Sequence, residues 1–387
     1  MASAAAPSPP TLAVAGRSAR LMAEAAADDG YRVLALDTYG DLDTLRAAER
    51  WLPIGLPGRP IDAGRTLAAL ASLQGEPGLV GWVAGSDFEC EPELLAAAAE
   101  RLPLLGTAPA DVARLRDPRS FFEALDALGL PHPELCFAPP EPPAGWLRKL
   151  ARGSGGWHIR RADAHPAADA ARGAYFQREQ AGTPMSALFV ADGRRARRVG
   201  FNELIVRPLG ALPHVYRGAV GPVALPAALT AAIDAALDAL AAHFALRGLA
   251  SLDFLRVGDG WSLLEVNPRP SASMALYGGL MRAHVEACVD GRLPPIDTAP
   301  PGEVRGCEIL FARSAFDLDA PRAAALAARG DCHDLPSAGS HFAAGDAVCT
   351  LSAAGPDAAG VRTTLERERR ALRAALSPSP HVLPPAR

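Results

Sequence analysis

The sequence predicts a mixed α/β protein of two or three domains, on three observations. Near the start, an apolar run, a Gly/Ser turn, a helical stretch and a second apolar run follow one another, which is the order of a doubly wound β-turn-α-β unit. Much later, two β-prone runs flank Gly258-Asp259-Gly260, the punctuation of a hairpin. The chain has 387 residues and an apolar fraction of 49%, enough to build more than one core.

The same composition excludes several classes. A formal net charge of −4 gives no sign of a nucleic-acid partner. No run of eighteen apolar residues is present, so no membrane span is expected. The opening MASAAAPSPP lacks a basic segment followed by a long apolar core, and reads as a disordered tail rather than a signal peptide. The six cysteines (Cys90, Cys136, Cys288, Cys307, Cys332, Cys349) are scattered without a C-x-x-C, which points to reduced thiols in the cytoplasm and no zinc site. Of 39 basic side chains, one alone is lysine, Lys149. In a chain otherwise given over to arginine, that position asks for a compact point charge.

From the start, Thr11–Ala15 is a short buried-type strand, residues 21–29 a helix ended by Gly30, and Tyr31–Leu36 a second strand. Neither G-x-G-x-x-G nor G-x-x-x-x-G follows the first strand, so a tight turn is favoured there over a dinucleotide site. Gly78–Ala84 supplies another strand, with Gly85-Ser86-Asp87-Phe88-Glu89 at its carboxyl end, where sheets of this kind place ligand groups. Residues 91–101 form a helix and 104–106 a short return strand. A second unit begins near Asp111. Its helix carries Phe121, Phe122, Leu125 and Leu128 at helical spacing, a core face. Trp146-Leu147-Arg148-Lys149 is a strand ending in lysine, and the loop Gly153-Ser154-Gly155-Gly156 follows. Glycines let backbone N–H groups approach an anion closely, so this loop beside a lysine suggests a phosphate cradle. Ser186–Val190 is a strand, Arg194–Arg198 a solvated basic turn, and residues 226–247 an amphipathic helix. After the hairpin come a helix over 278–289, a Pro-rich linker from about 294, a strand at Val304–Phe311 and a helix over 361–376. The tail SPSPHVLPPAR is expected to be disordered.

Within the hairpin, centring the turn on Asp259 sets Asp253 opposite Glu265, with Asn267 on the same face because side chains alternate along a strand. Facing carboxylates repel unless a counter-ion lies between them, and hard oxygen ligands suit Mg²⁺. The alternative is a pair of solvated carboxylates on an exposed hairpin. A bulge at the turn would shift the register by one.

The words around these residues carry a resemblance. SLDF, a glycine turn and LLEVNPRPS resemble the metal-binding hairpin of the ATP-grasp superfamily, and the strand ending in Lys149 with its glycine loop resembles that family's phosphate-binding segment. The resemblance implies that Asp253, Glu265 and Asn267 hold Mg²⁺ (or Mn²⁺), and that Arg269 contacts phosphate or an acyl phosphate. It assigns Lys149 and the loop Gly153, Ser154, Gly155 and Gly156 to the phosphates of ATP. AYFQREQAG resembles the adenine-pocket segment, with Gln177 at the adenine amino group and the backbone near Glu179 and Gln180 at the ring edge. Arg119 stands where many relatives have an early nucleotide-contacting lysine. Glu203, Arg207 and Arg217 are candidates for the acceptor's anionic group.

By the same resemblance, the fold is an α/β (α+β) ATP-grasp fold. Residues 1–110 form a pre-ATP-grasp Rossmann-like domain, 111–295 the nucleotide- and metal-binding domain in two subdomains, and 296–387 a small β-rich domain like the C-terminal part of biotin carboxylase. The implied function is an ATP- and Mg-dependent carboxylate–amine ligase, working through an acyl phosphate on an amino acid, peptide or cofactor precursor. Its partners are small-molecule carboxylates and amines and, as in relatives, a second copy in a homodimer. Two other readings stand beside it, a bicarbonate-activating carboxylase and a non-catalytic nucleotide-binding protein.

Overall fold

The computed structural model describes residues 9–164, 173–295 and 302–376. Strand β1 (Thr11–Ala15) is buried along its whole length, as an apolar strand covered on both faces must be. It runs parallel to β2 (Arg32–Asp37) on one side and β4 (Leu79–Ala84) on the other, and β3 (Arg50–Pro53) extends the sheet beyond β2. Helices α1 (Arg20–Asp28), α2 (Leu42–Ala47), α3 (Ala63–Ser72) and α4 (Pro92–Ala99) complete this part. The turn after β1 is closed from within, because the carboxylate of Asp37 accepts the backbone N–H of Ala19 at 2.9 Å. The expected return strand at 104–106 reduces to a single bridge between Trp82 and Leu104. Helix α2, strand β3 and helix α3 have no counterpart in the sequence reading.

Two short helices, α5 (Pro109–Arg116) and α6 (Pro118–Ala127), lead into a small antiparallel sheet. Its strands are β5 (Leu135–Cys136), β6 (Trp146–Leu150), β7 (Arg160–Arg161) and β8 (Ala174–Arg178), in the order β5-β8-β6-β7. Then come β9 (Thr183–Asp192), β10 (Ala196–Leu209), β11 (Leu212–Val223), α7 (Ala227–His243), β12 (Arg247–Val257), β13 (Gly260–Asn267) and α8 (Leu280–Val289). The basic segment expected as a turn enters β10 from Ala196 onward, and α7 ends at His243, earlier than its pattern suggested. Past the linker lie β14 (Val304–Phe311), β15 (Phe316–Asp317), α9 (Ala320–Ala327), β16 (Cys332–His333), β17 (His341–Phe342), β18 (Ala347–Gly355) and α10 (Ala358–Leu376).

One eight-stranded sheet, β13-β12-β9-β10-β11-β14-β18-β16, joins the hairpin to the C-terminal segment. The C-terminal residues therefore continue the central sheet through the β11–β14 pairing. Helix α7 packs its apolar side on one face of the sheet, with Phe189, Phe201, Leu252 and Phe254. The other face, with Leu188, Val190, Val199 and Ala219, meets the parallel-sheet part and α8 in a shared core. The expected disordered tails fall mostly outside the described residues, as does most of the Pro-rich linker. Among the described residues, no helix is long and apolar enough to cross a membrane.

His284 on α8 ties the two parts together. Its Nδ1 accepts from the Leu249 N–H at 2.8 Å, and its Nε2 lies 3.0 Å from the carbonyl of Leu105. Burial pulls its pKa down from 6.5 to about 4. The unfolded chain therefore takes up this proton first as pH falls, so the stability His284 provides is present above 6.5 and is lost between 6.5 and about 4. The expected loss is on the order of 3 kcal/mol. Urea-unfolding free energies measured from pH 7 to 4 should show this slope, flattened in His284→Gln.

Candidate active site

The hairpin β12–β13 brings the three oxygen-bearing residues together, with Asp253 directly opposite Glu265. The register arises differently from the sequence argument. Val257 pairs with Gly260, so the turn is centred between Gly258 and Asp259, and Phe254 pairs with Leu263. Continued unbroken, that register would set Asp253 against Leu264. A bulge leaves Leu264 unpaired and advances Glu265 into line. Asn267 Nδ2 lies 3.4 Å from Asp253 Oδ2 and 3.5 Å from Ser251 Oγ, on the same face. Leu252, Phe254, Leu263 and Val266 point the other way, into the α7 core, which holds the carboxylates toward the cleft.

Cations surround the pair. Lys149 is buried at the end of β6, and Arg116, at the last turn of α5, brings Nη1 to 3.9 Å from Glu265 Oε2. Burial pushes Asp253 well above the usual carboxylate range, and the charge on Glu265 adds to that. Burial also raises Glu265, but Arg116, Lys149, His158 and Arg269 outweigh it and hold Glu265 below its ordinary value. Asp253 is therefore the member that keeps a proton longer, and a divalent cation would displace that proton on binding. The Lys149 ammonium is pulled below its ordinary value by burial, with Glu265 and Asp253 opposing and Arg116 reinforcing the shift. His158 lies in the same field, and burial lowers it to about 4, so it is neutral at physiological pH.

The glycine loop closes against β11. Gly155 accepts the Tyr216 N–H at 3.1 Å, and Trp157 returns its N–H to Ser154 at 3.2 Å. Arg116 braces the loop from below, donating to the carbonyls of Ala151 (3.2 Å) and Gly153 (2.5 Å). Gly156 has φ +80, and a Cβ there would stand 1.7 Å from the His214 carbonyl oxygen. Gly153 has no room either, because its Cβ would meet His158 at 2.1 Å. Gly156→Ala is expected to force the loop off β11 at a cost of about 1–3 kcal/mol. A raised KM for ATP with little change in melting temperature would report it.

On the nucleotide side, Gln177 on β8 is buried, and its Nε2 has no hydrogen-bond partner among the described residues. Such an orphaned amide fits a heterocycle edge. Glu179 already gives its N–H to Gly145 at 2.9 Å, so a ring edge read there would meet its carbonyl or the exposed Gln180. Its carboxylate binds Arg161 (2.9 Å) and His214 (3.1 Å). The orphaned amide, the loop without room for side chains and the carboxylate pair ringed by cations together fit a metal–nucleotide complex.

Arg116 escaped the sequence reading of this cleft, whereas Glu89 lies in the segment after β4 that it marked for ligand groups. The upstream cation in the cleft is Arg116. Arg119, the residue aligned with the family's early lysine, instead stacks on Phe137 with its guanidinium 3.9 Å from the ring centre. Glu89, from the loop after β4, holds Arg269 through an Nε to Oε1 contact of 2.7 Å. Tyr216 on β11 carries a buried hydroxyl without a partner among the described residues, in the field of Asp253 and Arg269. The structure leaves the other acceptor candidates apart from this cleft. Glu203 pairs with Arg362 and Arg207 with Glu366, both on α10, while Arg217 sits against Phe311 and gives Nη2 to the Pro208 carbonyl at 2.8 Å.

Comparison with known proteins agrees with this geometry. Residues 116–273 match the ATP-grasp domain family. No curated protein sequence matches the chain significantly. Among solved structures, it is similar to biotin carboxylase from Campylobacter jejuni, with 12% identity, a TM-score of 0.70, and coverage of 92% of this chain and 89% of that one. It is also similar to an L-amino acid ligase from Bacillus licheniformis (14% identity, TM-score 0.66, 95% and 98% covered). A third similar structure is N5-carboxyaminoimidazole ribonucleotide synthetase from Thermotoga maritima (12% identity, TM-score 0.64, 94% and 97% covered). At these identities the likeness is one of fold. The chain therefore carries an ATP-grasp domain in residues 116–273.

Proposed function

We propose that this chain is an ATP- and Mg²⁺-dependent carboxylate–amine ligase, acting on an amino acid, a small peptide or a cofactor precursor. The observation that carries the reading is the convergence of Asp253, Glu265 and Asn267 with Lys149 and Arg116 on one cleft under a glycine loop. In this reading Asp253, Glu265 and Asn267 hold the metal, and Lys149, Arg116 and the loop N–H groups hold the phosphates. Gln177 reads the base, and Arg269 faces the transferring group. The metal–nucleotide complex supplies a charge-neutralised phosphoryl donor. The substrate carboxylate takes the γ-phosphoryl group and ADP leaves. An amine then attacks the acyl carbon, phosphate departs and the nitrogen gives up a proton. The chain contributes position and fixed charge, with no covalent protein nucleophile. The closed loop keeps water from the acyl phosphate.

All six cysteines are free, which supports a cytoplasmic setting, and a homodimer is the assembly we expect. A second reading, activation of bicarbonate, is favoured by the likeness in fold to biotin carboxylase over 92% of this chain. Phosphate release from Mg-ATP, measured across a panel of carboxylates and amines with and without bicarbonate, separates the two. Release that needs both a carboxylate and an amine supports the ligase, whereas release with bicarbonate alone would replace it by the carboxylase.

A further inference from the structure

Helix α10 presents Arg362, Thr363, Glu366, Arg367 and Arg370 along one side, and with Arg207 of β10 they line an open cleft of about 510 Å³. That volume lies in the range of small-ligand sites. The spacing is that of one helix face, while Val361, Leu365, Leu372 and Leu376 hold another face in the core. The cleft shares no lining residue with the candidate active site.

The charges around it do not balance. Glu366 alone serves three arginines: Arg207 Nη1 lies 3.3 Å from it, Arg370 Nε lies 2.8 Å from it, and Arg369 Nη2 binds it as well. Glu203 serves Arg362. Behind this wall, the buried Glu308 lies 3.2 Å from Arg369 Nε. Arg217 is also buried there, and its Nε has no hydrogen-bond partner among the described residues. Five guanidiniums thus share the carboxylates of Glu203, Glu308 and Glu366. Arg369 first, then Arg370 and Arg207, hold Glu366 down to about 2, so its negative charge is already counted. Burial lowers the Arg217 pKa, Glu308 opposes, and Arg207 and Arg369 add to the fall. Arg373 is lowered to about 10 by burial, Arg369, Arg313 and Arg217. Like charges partly withdrawn from water are unfavourable until an anion joins them.

We propose that this cleft between α10 and β10 is a second ligand site, which binds a small molecule carrying more than one phosphate group. A guanidinium fork matches two phosphate oxygens at once, and each phosphate ester brings more than one negative charge on a compact group. A single carboxylate would leave part of the excess unanswered. A second copy of the chain offering the same face would set arginine against arginine. The proposal does not depend on the ligase reading.

The test titrates the full chain with fructose 1,6-bisphosphate by calorimetry, with the β,γ-imido analogue of Mg-ATP present to fill the nucleotide cleft. Fructose, which lacks the phosphates, is the neutral comparison. Wild type is expected to bind the bisphosphate at least about tenfold more tightly than fructose. Arg362→Gln and Arg370→Gln should each weaken that binding by about tenfold or more. Arg194→Gln removes the same charge from an exposed position outside the cleft and should leave the binding as it is. Melting temperature and affinity for the analogue check the fold of each variant. Bisphosphate binding no tighter than that of fructose would overturn the proposal. So would an equal loss in Arg194→Gln, because binding would then follow net charge alone. Displacement of the analogue by the bisphosphate would overturn it too, since the ligand would then occupy the nucleotide cleft.

Discussion

Glu265→Ala is expected to reduce Mg-ATP turnover by about a thousandfold or more, in line with the loss of a group aimed at developing charge. Glu265 faces Asp253 across the bulge and is the carboxylate on which Arg116, Lys149, His158 and Arg269 converge. Without it, the metal loses a ligand and Lys149 and Arg116 lose the charge that orders them. Stability should fall as well, because Lys149 and Arg116 are left buried without the charge that pairs them. Lys149→Ala should cost as much activity, and Lys149→Arg should not restore it, since a planar guanidinium does not replace a buried point charge. Phosphate release and melting temperature, measured together on each variant, check this. Wild-type rates in a folded Glu265→Ala or Lys149→Ala protein would remove the catalytic assignment of this cleft.

The largest expected loss of stability is at Arg20. Its Nε and Nη2 bind both oxygens of Asp334 (2.9 and 3.1 Å), Nη1 binds Glu24 at 2.9 Å, and Asp43 lies 3.8 Å away. Asp43 in turn accepts the N–H groups of Asp334 (2.7 Å) and Leu335 (3.0 Å), so this cluster joins α1 and α2 to the C-terminal segment. Burial would raise Asp334, but Arg20 and Thr350 hold it below its ordinary value. Arg20→Met should cost about 3 kcal/mol, because it leaves buried carboxylates unpaired. The stability that Asp334 gives wild type is present above the ordinary carboxylate range and is lost as pH falls through its depressed value. In Arg20→Met, burial acts unopposed by that arginine, so the acid limb should begin at higher pH. Urea denaturation from pH 3 to 8 tests both effects, and unchanged midpoints would show that the clamp contributes nothing.

Strands such as Thr11–Ala15 and the helix over Pro118–Ala127 were legible because their apolar period and end signals agree. The stretch over residues 42–72 received no reading, since its Pro and Gly residues interrupt any apolar period, while β3 needs only four residues to join a parallel edge. The pairing of Asp253 with Glu265 was legible for an incomplete reason. The true turn is one position shorter than assumed, and an unpaired Leu264 restores the alignment. Arg116 was hidden by distance along the chain. No local pattern marks an arginine at a helix end as bound for a cleft built by residues 149–269, whereas the segment of Glu89 was marked by its place at the carboxyl end of a parallel strand. Arg119 had the family position, and its stacking on Phe137 draws it elsewhere.

The single sheet shared by the hairpin and the C-terminal segment limits how this chain can be cut. Gly218–Gly221 on β11 pair with Arg305–Glu308 on β14. A fragment ending near residue 295 would keep every residue of the nucleotide cleft and yet expose that stretch of β11 as a raw edge, with backbone donors and acceptors facing solvent. Its neighbours Ala219 and Val220 are fully buried in the intact chain. An edge of this kind is a template for pairing with another copy. Expression trials of such a fragment should yield aggregates, while the full chain stays dispersed. The C-terminal segment thus serves as a built-in guard against self-association of the catalytic half.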